Sequence, residues 1–142
     1  MMLRKALPAD MDRVNNIYKQ IEFLPSVYEK EYVAVAEEGN NLFGVGRLIT
    51  LADDSYELGG MYVDESLRGK GIARAIVMHL LQQAPEGRTV YCIPFAHLEG
   101  FYKSCGFGDA EISDALPAEI KQKIGYCNQT FAAKTLLLKL IR

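Results

Sequence analysis

Leu67-Arg68-Gly69-Lys70-Gly71-Ile72-Ala73 stands between an apolar run that reads as a strand, Tyr56 to Val63, and an apolar-periodic run that reads as a helix, Ile72 to Ala84. Two glycines let the backbone turn tightly and approach a ligand closely. The helix behind them aims unpaired N–H groups and the positive end of its dipole at the same point. Arg68, Lys70 and Arg74 add positive charge around it. Such a cradle suits a diphosphate, against the plainer alternative of a glycine turn with solvated basic residues. Two other phosphate motifs fit badly. A Walker A loop fails because the only Gly-Lys pair, Gly69-Lys70, continues with Gly71 rather than Ser or Thr. A dinucleotide fingerprint would need a small residue where Arg74 stands, and would open a βαβ unit rather than sit mid-chain.

Working outward, Met2 to Leu7 reads as a first strand, and Pro8-Ala9-Asp10 opens a helix with Met11, Val14, Ile17, Tyr18 and Ile21 at helical spacing. Phe23-Leu24-Pro25-Ser26 breaks it. A short helix is predicted over Val27 to Lys30, then a hairpin of Tyr32 to Ala36 and Leu42 to Leu51 around Glu38-Gly39-Asn40-Asn41. Gly44 and Gly46 inside the second hairpin strand suggest a close backbone approach, a bulge or crowding by a helix. Beyond the phosphate loop, Ile76, Val77, Leu80 and Leu81 form one stripe with His79 at its margin, and Pro85 and Gly87 end the helix. Thr89 to Pro94 reads as a buried strand, Leu98 to Cys105 as a helix, Phe107 onward as a strand and Phe131 to Ile141 as a closing strand. This order implies an α/β fold with a mixed sheet and helices on both faces.

The chain has 142 residues, enough for one sizeable core and too few for two, so residues 1–142 read as a single domain. A net charge of −2 gives no global pull toward nucleic acid or an anionic membrane, so phosphate binding has to be local. No apolar stretch has the length of a membrane span, and the N-terminus lacks the apolar core of a secretory signal, which argues for the cytoplasm. Cys92, Cys105 and Cys127 share no C-x-x-C spacing and have only His79 and His97 as co-ligands, so neither a disulfide framework nor a metal site is indicated. Cys105 reads as a small packing residue rather than a nucleophile.

Arg68, Gly71 and Ala73 meet the pattern Gln/Arg-x-x-Gly-x-Gly/Ala, which resembles the coenzyme A loop of the GCN5-related N-acetyltransferase (GNAT) superfamily. About thirty residues later, Phe101-Tyr102-Lys103-Ser104-Cys105-Gly106-Phe107 resembles the same superfamily's Phe-Tyr-x-x-x-Gly-Phe segment, a helix closed by a glycine cap. The resemblance implies a mostly antiparallel mixed sheet splayed between the fourth and fifth strands. Coenzyme A would lie in that gap, between Tyr56 to Val63 and Thr89 to Pro94. It also implies acetyl-CoA as acetyl donor, bound by Met61, Tyr62, Val63, Arg68, Gly69, Lys70, Gly71, Ile72, Ala73, Arg74 and Tyr102.

Acetyl transfer to an amine needs a neutral nucleophile, a donor for the oxyanion and a proton for the leaving thiolate. Backbone N–H groups of Met61 and Val63 are the candidates for the oxyanion. Family likeness makes Tyr102 the general acid, against an alternative in which it packs on Phe101 and bonds the phosphopantetheine. Glu57 is the first candidate base: period-two alternation puts it on the same side of its strand as Met61, where several such enzymes carry a glutamate. It competes with a hydrated Glu57, a Glu57 paired with Arg47, a chain of waters, and His97 as a second base. Related sequences often have asparagine seven residues before the motif tyrosine, and here that position is Phe95. The acceptor region implied by the resemblance runs around Tyr18, Phe23, Tyr28, Tyr126 and Phe131, and charge gives no cue to the amine-bearing small molecule or peptide that enters it. The competing function is a silent acyl-CoA-binding sensor. The apolar C-terminal stretch suits either an interior strand or a homodimer sheet.

Overall fold

Largely apolar runs build β1 (Met2–Lys5), β2 (Glu31–Glu38) and β3 (Asn41–Thr50) into an antiparallel ladder in this computed structural model, which describes all of residues 1–142. With β4 (Tyr56–Val63), β5 (Thr89–Cys92), β6 (Gly108–Asp109) and β7 (Leu138–Ile141), the strand order is β1-β2-β3-β4-β5-β7-β6. The sheet is mixed, because β4 and β5 run parallel while the other paired neighbours described run antiparallel. The chain divides into two compact units, one of Met1–Ile49 with Gly60–Gln83 and the other of Thr50–Gly59 with Ala84–Arg142.

In the first unit, α1 (Met11–Gln20) buries Met11, Val14 and Tyr18 against Ala6, Val33, Val35 and Val45. Its entry is fixed by Asp10, whose carboxylate accepts from Arg4 Nη1 at 2.7 Å, Arg13 Nη2 at 2.8 Å and the Leu7 N–H at 2.6 Å. The Arg4 hydrogen bond, more than any other contact, holds the Asp10 carboxyl far below the usual carboxylate range. Helix α2 (Ile72–Leu81) presses Ile76 onto β3: a Cβ at Gly44 would lie 2.8 Å from Ile76 Cδ1, and one at Gly46 2.7 Å from Ile76 Cγ2. Crowding by a helix is therefore the reason for both glycines. His79, at the edge of that helix's apolar stripe, hydrogen-bonds the Tyr32 hydroxyl at 2.8 Å.

A second glycine device sits in β4. Gly60 is left-handed, with φ +61°, and a Cβ there would fall 2.5 Å from the Tyr18 hydroxyl and 2.9 Å from Arg47 Nε. Tyr18 donates to the Gly60 carbonyl at 2.8 Å, and the Arg47 guanidinium lies over the Tyr18 ring, 4.5 Å from its centroid. Arg47 is buried. Its Nη1 donates to the Leu24 carbonyl at 2.9 Å and stands 3.7 Å from Glu31, while Nε has no partner. Arg47 thereby ties down the segment after α1, where Glu31 also accepts from the Ser26 hydroxyl and the Val27 N–H.

In the second unit, β4 and β5 pair from Tyr56↔Val90 to Leu58↔Cys92, where β5 ends, and β7 lies antiparallel on the other edge of β5. Helix α3 (Glu99–Ser104) is closed by Gly106 at φ +107°. Two expectations need correction. The strand after Phe107 is only Gly108–Asp109, and the closing strand begins at Leu138 rather than Phe131. Between them Ala118–Thr130 forms α4, which the sequence reading did not contain. Residues 131–137 still follow the segment after β5, through Ala96 N to Lys134 O at 2.8 Å and Leu136 N to Pro94 O at 2.8 Å, but without regular strand geometry. No helix is long and apolar enough to cross a membrane.

Candidate active site

The segment from Val63 to Arg74 is held by backbone and local side-chain hydrogen bonds. Asp64 N donates to the Phe43 carbonyl at 2.7 Å, and the Asp64 carboxylate accepts from Ser66 N at 3.0 Å, capping a 3-10 turn over Glu65–Leu67. Gly69 and Gly71 have φ of +82° and +79°, where an L side chain costs about 1–2 kcal/mol. Nothing lies within 4 Å of a Cβ placed on either one, so the space above both is open. Conformation, not crowding, requires glycine here.

Gly71 is the N-cap of α2 and has no side-chain capping bond; the first turn carries no acidic residue. The Ala75 N–H returns to the Gly71 carbonyl at 3.1 Å, so the N–H groups of Ile72 and Ala73 precede the helical ladder. Ile72 buries its side chain and so anchors this turn, contributing only its N–H to the surface. Lys70 and Arg74 are exposed. Arg68 instead bends back, its Nε donating to the Val63 carbonyl at 3.1 Å, which braces the loop against the end of β4.

In the other unit, Tyr102 is buried on α3 with its ring edge-on to Phe101 at 4.9 Å and to Phe107 at 6.0 Å. Its hydroxyl has no hydrogen-bond partner and is not among the sealed polar atoms, so the oxygen keeps contact with solvent. Desolvation, with Cys92 and Cys105 adding to it, pushes the phenol well above its ordinary pKa. A phenol so placed stays protonated at neutral pH and is a weaker acid than an exposed tyrosine.

Glu57 is also buried, and its partner is Lys123, whose Nζ donates to Oε2 at 3.0 Å. Arg47 is therefore not its partner. Gly59 makes room for this carboxylate: a Cβ there would stand 3.2 Å from Glu57 Oε2. Face-sharing by Glu57 and Met61 was argued from strict alternation, which the left-handed Gly60 interrupts. Met61 itself turns toward β3, its Sδ 2.7 Å from where a Cβ on Gly46 would be. Burial also raises Cys92 far above its ordinary value, so this thiol is inert.

His97 is exposed and stacks on Phe95 at 6.0 Å with an interplanar angle of 8°. Phe95 meets Phe131 edge-on at 5.2 Å, and Phe131 meets Tyr126 at 6.2 Å. This row of rings joins three stretches of sequence. Sequence reasoning missed Lys123 because it missed α4, whose apolar positions are few and whose centre carries Gly125. Pro117-Ala118-Glu119 was the one legible helix-start signal.

Residues 29–108 match the family described as "Acetyltransferase (GNAT) domain". The chain is 29% identical to peptidyl-lysine N-acetyltransferase YjaB of Salmonella typhimurium, over 78% of this chain and 77% of that protein. Among solved structures, Rv2747 from Mycobacterium tuberculosis, in complex with CoA and NLQ, superposes with a TM-score of 0.75 at 20% identity, covering 100% of this chain and 99% of that one. N-acetylglutamate synthase from Neisseria gonorrhoeae, complexed with coenzyme A and N-acetyl-glutamate, also gives 0.75 at 18% identity, covering 99% of this chain and 34% of that one.

Proposed function

Because the chain belongs to the acetyltransferase (GNAT) domain family, an N-acetyltransferase family with acetyl-CoA as donor, we propose that it moves the acetyl group to a primary amine by direct attack in a ternary complex. Residues 1–142 act as one catalytic domain in this reading, and the acceptor is an amine-bearing small molecule or peptide. The observation that carries it is the uncapped start of α2 behind two left-handed glycines, with no acidic side chain in its first turn. Backbone N–H groups of the loop and of Ile72 and Ala73 hold the diphosphate, and Lys70 and Arg74 add attraction from the rim. Arg68 works by bracing the loop.

Glu57 takes the proton that the acceptor ammonium must lose before its nitrogen can attack. Backbone N–H groups of Met61 and Val63 polarise the thioester carbonyl and receive the charge that develops on its oxygen. The nitrogen–carbon bond forms, the carbon–sulfur bond breaks, and Tyr102 gives its proton to the departing sulfur. The second proton shed by the acylated nitrogen returns through solvent to the Tyr102 phenolate. A phenol raised by burial is a weak acid for this step, yet it is always loaded, and the thiolate it meets is desolvated too. Three free, buried cysteines fit a reducing compartment, and the cytoplasm is the setting we assign.

The test is thiol release from acetyl-CoA in the presence of separate amines, including a lysine-containing peptide, since one relative bears the name peptidyl-lysine N-acetyltransferase. The reading expects amine-dependent release with mass gain on the amine. Tight acetyl-CoA binding with no release for any amine would contradict catalysis and leave a binding module.

A further inference from the structure

The Gly60 carbonyl and the Met61 N–H belong to one peptide unit. That unit is planar and trans, so its two polar bonds point in opposite directions, and whatever fixes the carbonyl also fixes the N–H. The carbonyl is fixed from α1, where the Tyr18 hydroxyl donates to it at 2.8 Å. Tyr18 is wholly buried, and the Arg47 guanidinium covers its ring, 4.5 Å from the centroid. A Cβ at Gly60 would fall 2.5 Å from that hydroxyl, so the left-handed glycine is what admits it. At the other end of the unit the Met61 side chain is seated toward β3, its Sδ 2.7 Å from where a Cβ on Gly46 would be.

A left-handed glycine inside a strand re-aims the groups that follow it. Hydrogen bonds in a chain also polarise one another: a donor on the carbonyl draws electron density through the amide and makes its N–H the stronger donor. Desolvation, opposed in part by the Arg47 charge, holds the Tyr18 phenol above its ordinary pKa, so the hydroxyl stays loaded as that donor. We infer that Tyr18 is a positioning residue for acetyl transfer, acting through the Gly60–Met61 peptide to aim and strengthen the N–H that meets the thioester carbonyl, with Arg47 holding its ring in place. This rests on the reading of the Met61 N–H as an oxyanion donor and adds the side chain that sets it. Arg47 also donates to the Leu24 carbonyl at 2.9 Å, so the segment after α1 and this peptide share one support.

The probe is the ketone analogue of acetyl-CoA in which a methylene replaces the thioester sulfur, labelled with carbon-13 at the carbonyl. Binding is then read without turnover and without an acceptor. A donor on the ketone oxygen moves the carbonyl resonance downfield. Wild type should shift it downfield on binding. Tyr18→Phe, which keeps the ring, should give a smaller shift at saturation with affinity within about twofold of wild type. With an amine that supports thiol release, Tyr18→Phe should lower kcat about tenfold and leave the KM for acetyl-CoA within about twofold, a smaller loss than removing an oxyanion donor outright. A hydroxyl that only anchored α1 would change the melting temperature and leave the ketone shift and kcat where they were.

An undiminished downfield shift in folded Tyr18→Phe would overturn the inference and leave the oxyanion reading standing. No downfield shift with wild type would sink that reading, and the inference with it. Should Tyr18→Phe fail to fold, 3-fluorotyrosine at position 18 supplies a stronger donor on the same ring and should enlarge the wild-type shift. An unchanged shift there overturns the inference.

Discussion

From Val63 to Ala73 the chain sets backbone N–H groups at a helix start behind two left-handed glycines, whereas around Glu57 the polar groups are side chains brought from β4 and α4, residues 57 and 123. The first region depends on two left-handed φ angles and on a helix start without a side-chain cap. The second depends on a 3.0 Å contact between residues 66 positions apart and on a glycine that leaves room for it. In the proposed reading the first region meets the donor and the second the acceptor.

Substitutions separate the two regions by what they move. Tyr102→Phe should have the largest effect, a fall in kcat of about a thousandfold with acetyl-CoA affinity within about twofold of wild type, because only the proton is removed. Steady-state kinetics with calorimetry on the same preparation checks it, and unchanged turnover retires the phenol as acid. Glu57→Gln should lower kcat/KM by about a hundredfold, and a loss under about threefold would hand the base role to water. Gly71→Val should act on the other region alone. It weakens acetyl-CoA binding about tenfold and costs about 1–2 kcal/mol of stability through the left-handed angle, with kcat at saturation little changed.

The smallest effect lies outside both regions. The Asp10 carboxyl is depressed chiefly by its hydrogen bond from Arg4, so its contribution to stability is present above the unfolded carboxylate pKa and is lost as pH falls through the lower folded value. Asp10→Asn should be less stable at neutral pH by about 1 kcal/mol, and its stability should decline less from pH 5 downward, as measured by urea unfolding. A decline identical to wild type would mean that other carboxylates carry the acid sensitivity.

How much was legible follows the same division. The strand Tyr56–Val63, the start of α2 and the hairpin strands were readable because local periodicity and glycine positions determine them. The turn at Gly69 and Gly71 was readable for the same reason: two left-handed glycines in a short contiguous segment set its geometry. Helix α4 was not, because its buried side is reduced to Ile120 and Cys127 and Gly125 interrupts it. With α4 missing, the Glu57–Lys123 pair had no visible cause, and Arg47, ten residues before Glu57, was the nearer partner to consider. Arg47 proves instead to sit on Tyr18 and the Leu24 carbonyl. The over-long final strand has a tertiary cause as well: Phe131 joins a row of rings and residues 134 and 136 make a short irregular pairing, while Ala132, Ala133 and Lys134 are exposed.

The central claim is that amides at the start of α2, freed by Gly69 and Gly71, hold the diphosphate of acetyl-CoA. Isothermal titration of acetyl-CoA into the wild-type protein and into Gly71→Val tests it most directly. The account predicts one saturable site in the wild type and about tenfold weaker binding in the variant. No heat with wild type, or equal affinity for both proteins, would contradict it.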